Sequence, residues 1–264
     1  MISVIRSGLD ASMKQIGVLS NNIANARTTG FKKSMASFQD VYAQKASLLN
    51  PGKIGHGART ENVRPSQVQG PLTQTDQTLD LAVEGQGMFV VKRADDTDAD
   101  AQSYTRDGSF SLDNEGFMIT TDGHRVLSDQ GQFLQVPFER VIGQDRLALE
   151  QLTIDEYGNV RAQLGRNRVE NVGRVGLALF ADINRLTPVG NNMFKANEAS
   201  GAAELGSGLD ADGLYGKVMS GALEMANTDM TSELSVLIQA QQAFSGSSRM
   251  LQAETDMTKR FTSR

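Results

Sequence analysis

The feature that most constrains the fold is an apolar residue at every seventh position near each end of the chain. The N-terminal repeat and its complementary positions comprise Ile2, Ile5, Leu9, Ile16, Leu19 and Ile23. This spacing predicts an amphipathic helix of about 25 residues, about 38 Å long, with a narrow apolar seam. We expect the helix to end near Arg27, because Gly30 suits a left-handed helix cap.

A second apolar seam lies near the C-terminus. Its heptad positions are Met230, Leu237, Phe244 and Leu251. Thr228 or Asp229 is the predicted N-cap, with Glu233 in the first turn, where the helix dipole favours an acid. One amphipathic helix usually covers the core of its own chain. For a matched pair of such helices at opposite termini, contacts with other polypeptides are as well supported as packing on the core of the same chain.

Short alternating runs and turn signals fill the middle of the chain. Two such runs are joined at residues 113–116, and Asp122 with Gly123 forms a second turn signal. Further strand-like runs lie at 88–91, 152–160 and 175–180. The pattern predicts a β-rich body, either a barrel or a sandwich.

Two glycine-containing stretches with weak periodicity are predicted to connect these parts. The fold class predicted is α+β, with an all-β domain inserted between long N- and C-terminal helices. The predicted segments are an N-terminal helical segment at 1–44, an extended arm at 45–74, a β-rich domain at 75–200, a return linker at 201–220 and a C-terminal helix at 221–264.

Composition and charge remove several functional classes. The 264 residues include no cysteine and only two histidines, His56 and His124, which we expect in loops. Disulfides, thiolate metal sites and multi-histidine metal centres are therefore not expected, and we predict no cofactor. The formal net charge of −5 offers no general attraction to nucleic acid. No apolar window approaches the roughly 18 residues that a membrane-spanning helix needs, so we predict no membrane insertion.

The sequence offers little support for catalysis, because it contains no phosphate-binding glycine loop and no nucleophile elbow. Asp113 and Asp155 could form a glycosidase-like acid–base pair by residue type. Each lies near a glycine in a turn, however, where an aspartate bonds to backbone amides. The acidic run from Asp95 to Asp107 matches a calcium loop only in part, and a solvated hairpin tip is the favoured interpretation. We predict no catalytic, cofactor-binding or metal-binding residue and no enzymatic activity.

Four segments resemble the bacterial flagellar rod and hook protein family, in the family's order along the chain. The first, residues 20–32, joins an Asn-Asn-Ile-Ala-Asn helix end to Thr-Thr-Gly-Phe. The second and third are residues 79–89 and 104–110. The fourth, residues 220–227, leads into the C-terminal helix.

The resemblance implies that the terminal helices form a coiled-coil-like inner layer and that the β domain lies outside it. It implies a structural subunit that polymerises helically into a hollow tube, which transmits motor torque and passes exported subunits. The expected partners are further copies of the chain, adjacent rod and hook proteins, the surrounding bushing rings and the flagellar type III export apparatus.

The location implied by the resemblance is the flagellar basal body, spanning the periplasm and reached without a cleaved signal peptide. The first ten residues are consistent with this expectation, since they lack a basic region followed by an apolar block.

Within the family, the length favours a distal-rod protein, because hook subunits generally carry a further outer domain. A proximal rod member and a compact hook subunit stay open as alternatives. A self-contained β-rich secreted binding module, which is a different class of protein, also stays open as an alternative.

We predict one set of residues for coiled-coil or intersubunit contacts. Its asparagines are expected to satisfy either helix-end or intersubunit hydrogen bonds. The set consists of Ile2, Ile5, Leu9, Ile16, Leu19, Asn21, Asn22, Ile23, Asn25, Gly30, Phe31, Met230, Leu234, Leu237, Phe244 and Leu251.

Overall fold

The computed structural model describes residues 2–42, 55–96, 102–142, 145–165, 168–209 and 213–262. The α-helices in these ranges are α1 (Ile2–Ala24) and α2 (Met230–Thr262). Within the described residues, neither helix contains an apolar stretch of the length needed to span a lipid bilayer. The strands are β1 (Ser34–Tyr42), β2 (Gly55–Pro65), β3 (Leu72–Gln74), β4 (Leu81–Glu84), β5 (Met88–Arg93), β6 (Gln102–Thr105), β7 (Phe110–Leu112), β8 (Met118–Thr120), β9 (His124–Val126), β10 (Glu139–Ile142), β11 (Asp145–Ile154), β12 (Asn159–Leu164), β13 (Arg168–Arg174), β14 (Leu177–Leu179), β15 (Thr187–Gly190), β16 (Met193–Lys195), β17 (Glu204–Gly206), β18 (Lys217–Ser220) and β19 (Ala222–Glu224).

The chain divides into two compact units, each built from segments that are distant in sequence. The helical unit comprises Met1–Ala26, Lys33–Ser66 and Thr228–Arg264. The β unit comprises Arg27–Lys32 and Gln67–Asn227. Helices at both ends and a β-rich middle confirm the predicted α+β class.

In the helical unit, α1 packs against α2 and against the antiparallel pair β1 and β2. The two helices run antiparallel, because Asn22 hydrogen-bonds Glu233 while Gly8 lies beside Ser247. With 23 residues in α1 and 33 in α2, the longer helix extends past the N-terminus of the shorter one. The overhang begins at about residue 254 of α2.

The strands of the β unit pair antiparallel wherever the described residues show a pairing. One sheet has the order β10-β11-β12-β13. A larger sheet follows β15-β16-β6-β5-β9-β8-β7, with β14 joined to β5 and β17. β18 pairs with β4, and β19 with β3. The predicted hairpins are confirmed, since β7 pairs with β8 and β8 with β9 across a turn in which Gly123 has a φ of 80°.

Strand β5 is buried on both faces. Phe89 and Val91 belong to one apolar cluster, while Met88 and Val90 belong to another. The ring of Phe89 meets that of Phe110 edge-on, with 5.2 Å between ring centroids. Burial on both faces explains why residues 88–91 read as a continuous apolar run rather than an alternating one.

The predicted segments need correction at the level of their elements. The segment 1–44 is helical only to Ala24, and its later residues form β1, whose backbone is satisfied by pairing with β2. Of the arm predicted at 45–74, residues 45–54 lie outside the described ranges, and the described part contains β2 and β3. The linker at 201–220 contains β17 and β18, and β19 precedes α2 in the segment 221–264. These missed strands of three or four residues are too short for an alternating pattern to reveal.

Gly30 is not the cap of α1, because that helix ends at Ala24. It does have a left-handed backbone, with a φ of 65°. A Cβ at this position would lie 2.5 Å from the backbone nitrogen of Asp107, and the Gly30 N–H donates to the Glu224 carbonyl at 2.8 Å. Glycine is therefore required here for a close backbone approach within the β unit.

Removing the Phe89 ring tests the importance of the double-sided core. Because the side chain is fully buried, we expect Phe89→Ala to lower the free energy of unfolding by about 3–5 kcal/mol. Urea denaturation followed by circular dichroism measures this change. Tyr157→Ala is the control, since that ring is 53% exposed and should change stability little. Equal losses in the two variants would contradict this description of the core.

His124 begins β9 and His56 lies in β2, so the expectation that both lie in loops was wrong. Burial lowers the pKa of His124, and the charge of Arg93, its cross-strand neighbour, acts in the same direction. As the pH falls below 6.5, His124 therefore takes up a proton in the unfolded chain before it does so in the folded chain. The free energy of unfolding consequently decreases. We expect His124→Gln to reduce this loss between neutral pH and the lowered pKa. Unfolding curves of both proteins across that range provide the measurement, and identical pH dependence would contradict the assignment.

Candidate functional site

A buried carboxylate, Glu224, joins two buried cations in the β unit. Its Oε1 lies 2.6 Å from Nζ of Lys32, and its Oε2 lies 3.2 Å from Nη1 of Arg106. The Glu224 side chain is only 1% exposed. Because one anion faces two cations, the cluster carries a formal charge of +1, and its remaining polar groups need further partners.

Backbone groups provide those partners. Lys32 Nζ donates to the carbonyl of Val68 at 2.9 Å, and Glu224 Oε1 accepts from the N–H of Gly70 at 2.8 Å. The Arg106 guanidinium donates to the carbonyls of Val83 at 3.1 Å and Gly85 at 2.7 Å. Every charged group of the cluster therefore has hydrogen-bond partners besides its ion pair, as buried ions require.

All four of the segments that carry the family resemblance contribute to this cluster. Lys32 belongs to residues 20–32, Arg106 to 104–110 and Glu224 to 220–227, while residues 79–89 supply the two carbonyls that Arg106 contacts. The cluster is therefore where these four segments meet in the fold. Sequence reasoning missed it, because a single Lys, Arg or Glu is usually solvated.

Burial sets the electrostatics of the two cations. It lowers the pKa of Lys32 and also that of Arg106, while the Glu224 carboxylate opposes both shifts by favouring the charged forms. Desolvation is thus the larger effect, and only the nearby anion and backbone carbonyls make the buried charges tolerable. Among the described residues, both cations pair with Glu224, so its loss would remove the ion-pair partner of each.

A second polar network closes one end of the helical unit. Asn22, 1% exposed, donates from Nδ2 to the Ser34 carbonyl at 2.9 Å and to Glu233 Oε2 at 3.1 Å. Its Oδ1 accepts from the Ser34 N–H at 2.9 Å, and Lys33 pairs with Glu233 at 3.4 Å. Asn22 thus joins α1 to β1 and to α2 within the chain, and the helix-end or intersubunit role of the asparagines stays a prediction. Asp229 is the N-cap of α2, since its Oδ1 accepts from the Thr231 N–H at 3.1 Å.

The predicted contact residues fall into three groups by exposure, and their role between copies stays a prediction. Gly30 and Phe31 lie in the β unit, and the others lie in the helical unit. The exposed members are Ile2, Asn21, Met230 and Leu234. The partly buried members are Ile5, Leu9, Ile16, Ile23, Asn25, Phe31, Leu237, Phe244 and Leu251. The buried members are Leu19, Asn22 and Gly30.

Helix α2 exposes more apolar surface than its heptad pattern indicated. Ile238, 55% exposed, lies one turn beyond Leu234 and extends the stripe begun by Met230. Met250, Met257 and Phe261 form another exposed group near the other end of the helix. Both groups could have been identified in the sequence, because their members are apolar residues at or next to the heptad positions.

The two carboxylates considered for catalysis serve as turn formers. Oδ1 of Asp113 accepts from the N–H groups of Glu115 and Phe117, at 2.9 and 2.8 Å. Oδ1 of Asp155 accepts from those of Tyr157 and Asn159, at 3.1 and 2.8 Å. Of the acidic run considered for calcium, residues 97–101 lie outside the described ranges.

Family models match three parts of the chain. Residues 2–32 match the model described as "Flagella basal body rod protein". Residues 82–162 match the "Flagellar hook protein FlgE/F/G D1 domain", and residues 219–264 match the "Flagellar basal body rod FlgEFG protein C-terminal". The matched ranges include Lys32, Arg106 and Glu224.

Individual proteins are similar over nearly the whole length. The flagellar basal-body rod protein FlgG of Bacillus subtilis is 31% identical, with coverage of 93% of this chain and 91% of that protein. FlgG of Agrobacterium fabrum is also 31% identical, with coverage of 97% and 95%. Among solved structures, the Helicobacter pylori flagellar hook protein FlgE2 has 15% identity and a TM-score of 0.27, covering 67% of this chain and 48% of that one.

Neutralising Glu224 tests the ion cluster. We expect Glu224→Gln to lower the free energy of unfolding by about 3–5 kcal/mol, because it leaves two buried cations unpaired. Glu115→Gln is the matched control, since Glu115 pairs with Arg125 at 3.1 Å but is 68% exposed. Its expected loss is at most about 1 kcal/mol. Urea denaturation measures both values, and a loss for Glu224→Gln no larger than for the control would refute the assigned role.

Proposed function

Because the chain belongs to the flagellar hook and basal-body rod protein family, we propose that it is a structural subunit of the flagellar basal-body rod. The observation that carries the proposal is similarity over more than nine tenths of the chain to proteins named as FlgG rod proteins. The family is structural and not enzymatic. The turn-forming carboxylates and the hydrogen-bonded ion cluster are consistent with that role.

The rod assignment is favoured over the alternatives. A compact hook subunit is the weaker candidate, because relatives that match more than nine tenths of the chain are named as rod proteins. A self-contained secreted binding module has no comparable support, since the terminal helices as well as the β region match flagellar family models.

The terminal helices are the proposed assembly surface. Their seam residues are mostly only half-buried by the α1–α2 contact, and Ile2, Met230 and Leu234 are exposed. Burying apolar area contributes roughly 25 cal/mol per Å². Repeated over several neighbouring copies, such contacts can hold a tube together without covalent links. The helices of neighbouring copies would then form the coiled-coil-like inner layer.

The proposed tube has the mechanical role that the family resemblance implies. It transmits motor torque across the periplasm and leaves a lumen through which exported subunits pass. Adjacent rod and hook proteins are its axial neighbours, the bushing rings surround it, and the type III export apparatus delivers the chain without a cleaved signal peptide. Within the rod, the distal part is the proposed position.

Charging the exposed stripe of α2 tests the assembly surface. We expect the concentrated 264-residue chain to sediment as polymers that appear tubular in electron micrographs. The double variant Leu234→Asp with Ile238→Asp should stay in the supernatant with unchanged circular dichroism, because both side chains are exposed in the single chain. Ser235→Asp adds a charge at a neighbouring exposed position and serves as the control.

Two outcomes would count against the proposal. One is a wild-type chain that stays monomeric at every concentration, and the other is a double variant that polymerises as well as the control does.

A further inference from the structure

An apolar groove lies between α1 and the β1–β2 pair of the helical unit. Its volume is about 460 Å³, and Gly17, Val18 and Val63 form its apolar lining. Lys14 and Glu61 stand at its polar edges, on α1 and β2 respectively. Val63 is 49% exposed. Because Gly17 has no side chain, the helix surface is recessed at this point.

The overhanging end of α2 carries the complementary shape, a protruding apolar stripe. Met250 and Met257 are seven residues apart and Phe261 follows four residues later, so all three lie on one side of the helix. They are 57%, 56% and 84% exposed. Spacings of four and seven residues are those by which an amphipathic helix binds in an apolar groove.

The stripe cannot reach the groove of its own chain. Residue 8 of α1 is level with residue 247 of α2, so Met257 lies beyond the N-terminus of α1. At 1.5 Å per residue, Met257 is about 24 Å along the axis from Lys14, the nearest groove residue on α1. Any α2 stripe that fills this groove must therefore come from another copy.

Resting on the proposed function, we infer that Met250, Met257 and Phe261 of one copy occupy the groove formed by Gly17, Val18 and Val63 of a second copy. Charges agree with this pairing. The groove has one cation and one anion at its edges, Lys14 and Glu61. Beside the stripe, α2 carries Asp256 and Arg260, which are four residues apart and exposed. Residues four apart lie on the same flank of a helix, so both face one edge of the groove, and on the α1 edge Asp256 is the complement of Lys14.

The contact is directional. The stripe and the groove are different surfaces of the same chain, so a copy that donates its stripe keeps its own groove free for the next copy. Contacts of this heterologous kind generate open helical assemblies when the rotation between copies does not close a ring.

Engineered disulfides test the pairing directly, because the chain has no native cysteine. The double variant Val63→Cys with Phe261→Cys, and its counterpart with Met257→Cys, should form a ladder of covalent dimers, trimers and larger oligomers on mild oxidation under assembly conditions. Each single-cysteine variant should form no ladder. Ser235→Cys with Phe261→Cys is the control, since residue 235 is exposed and outside the groove.

A substitution that fills the groove provides an independent test of the pairing between stripe and groove. A Cβ at Gly17 would meet nothing within 4 Å, so the free chain has room for Gly17→Phe. We expect this change to abolish both the ladder and sedimentation, with unchanged circular dichroism. Ser20→Phe places the same ring at an exposed position of α1 outside the groove and should preserve both.

The results separate this inference from the proposed function. If wild-type chains polymerise but neither double-cysteine variant forms a ladder, or if Gly17→Phe assembles normally, the stripe–groove pairing is wrong while the rod assignment stands. Cross-linked dimers from single-cysteine variants would also overturn it, since they indicate like-with-like contacts. Wild-type chains that never polymerise overturn the rod assignment itself.

Discussion

The ion pairs of Glu224 with Lys32 and Arg106 are the constraint on which the β unit depends. They join three parts of the chain that are separated by 192 and 118 residues. Ions buried this deeply are costly unless every polar group has a partner, and here backbone carbonyls and an amide supply the rest. The cluster therefore specifies one arrangement of these segments and penalises any other. Gly30, which must lack a Cβ to approach Asp107, belongs to the same arrangement.

Much of the architecture could be predicted from local patterns. Heptad spacing identified α1 and α2, and turn residues such as Gly123 identified the hairpins, because both signals arise within a few neighbouring residues. The ion cluster could not be predicted in this way. Lys32, Arg106 and Glu224 look like ordinary charged residues until the fold brings them together. The short strands β17, β18 and β19 were missed because their long-range partners, rather than their own residues, define them.

Both units pair buried charged or polar side chains, but they differ in how completely they bury their large apolar side chains. In the β unit, residues such as Phe89 and Val91 are completely enclosed. In the helical unit, Asn22 and Glu233 are buried and paired, whereas Ile238, Met257 and Phe261 remain exposed. A chain that pairs its buried charges internally and leaves large apolar side chains outside is suited to association through those side chains. That contrast fits a subunit whose β region encloses its own core and whose terminal helices are the proposed contacts with neighbours.

The long sequence separation within the Glu224 cluster also bears on the timing of folding. Contacts between residues this far apart are slow to form, because the entropy of closing the intervening loop is lost before the contact stabilises anything. Whichever end of the polypeptide emerges first, from a ribosome or from a narrow channel, the charged triad has to stay incomplete until almost the entire chain is free. The β unit should consequently remain pliable during passage and become rigid only upon release.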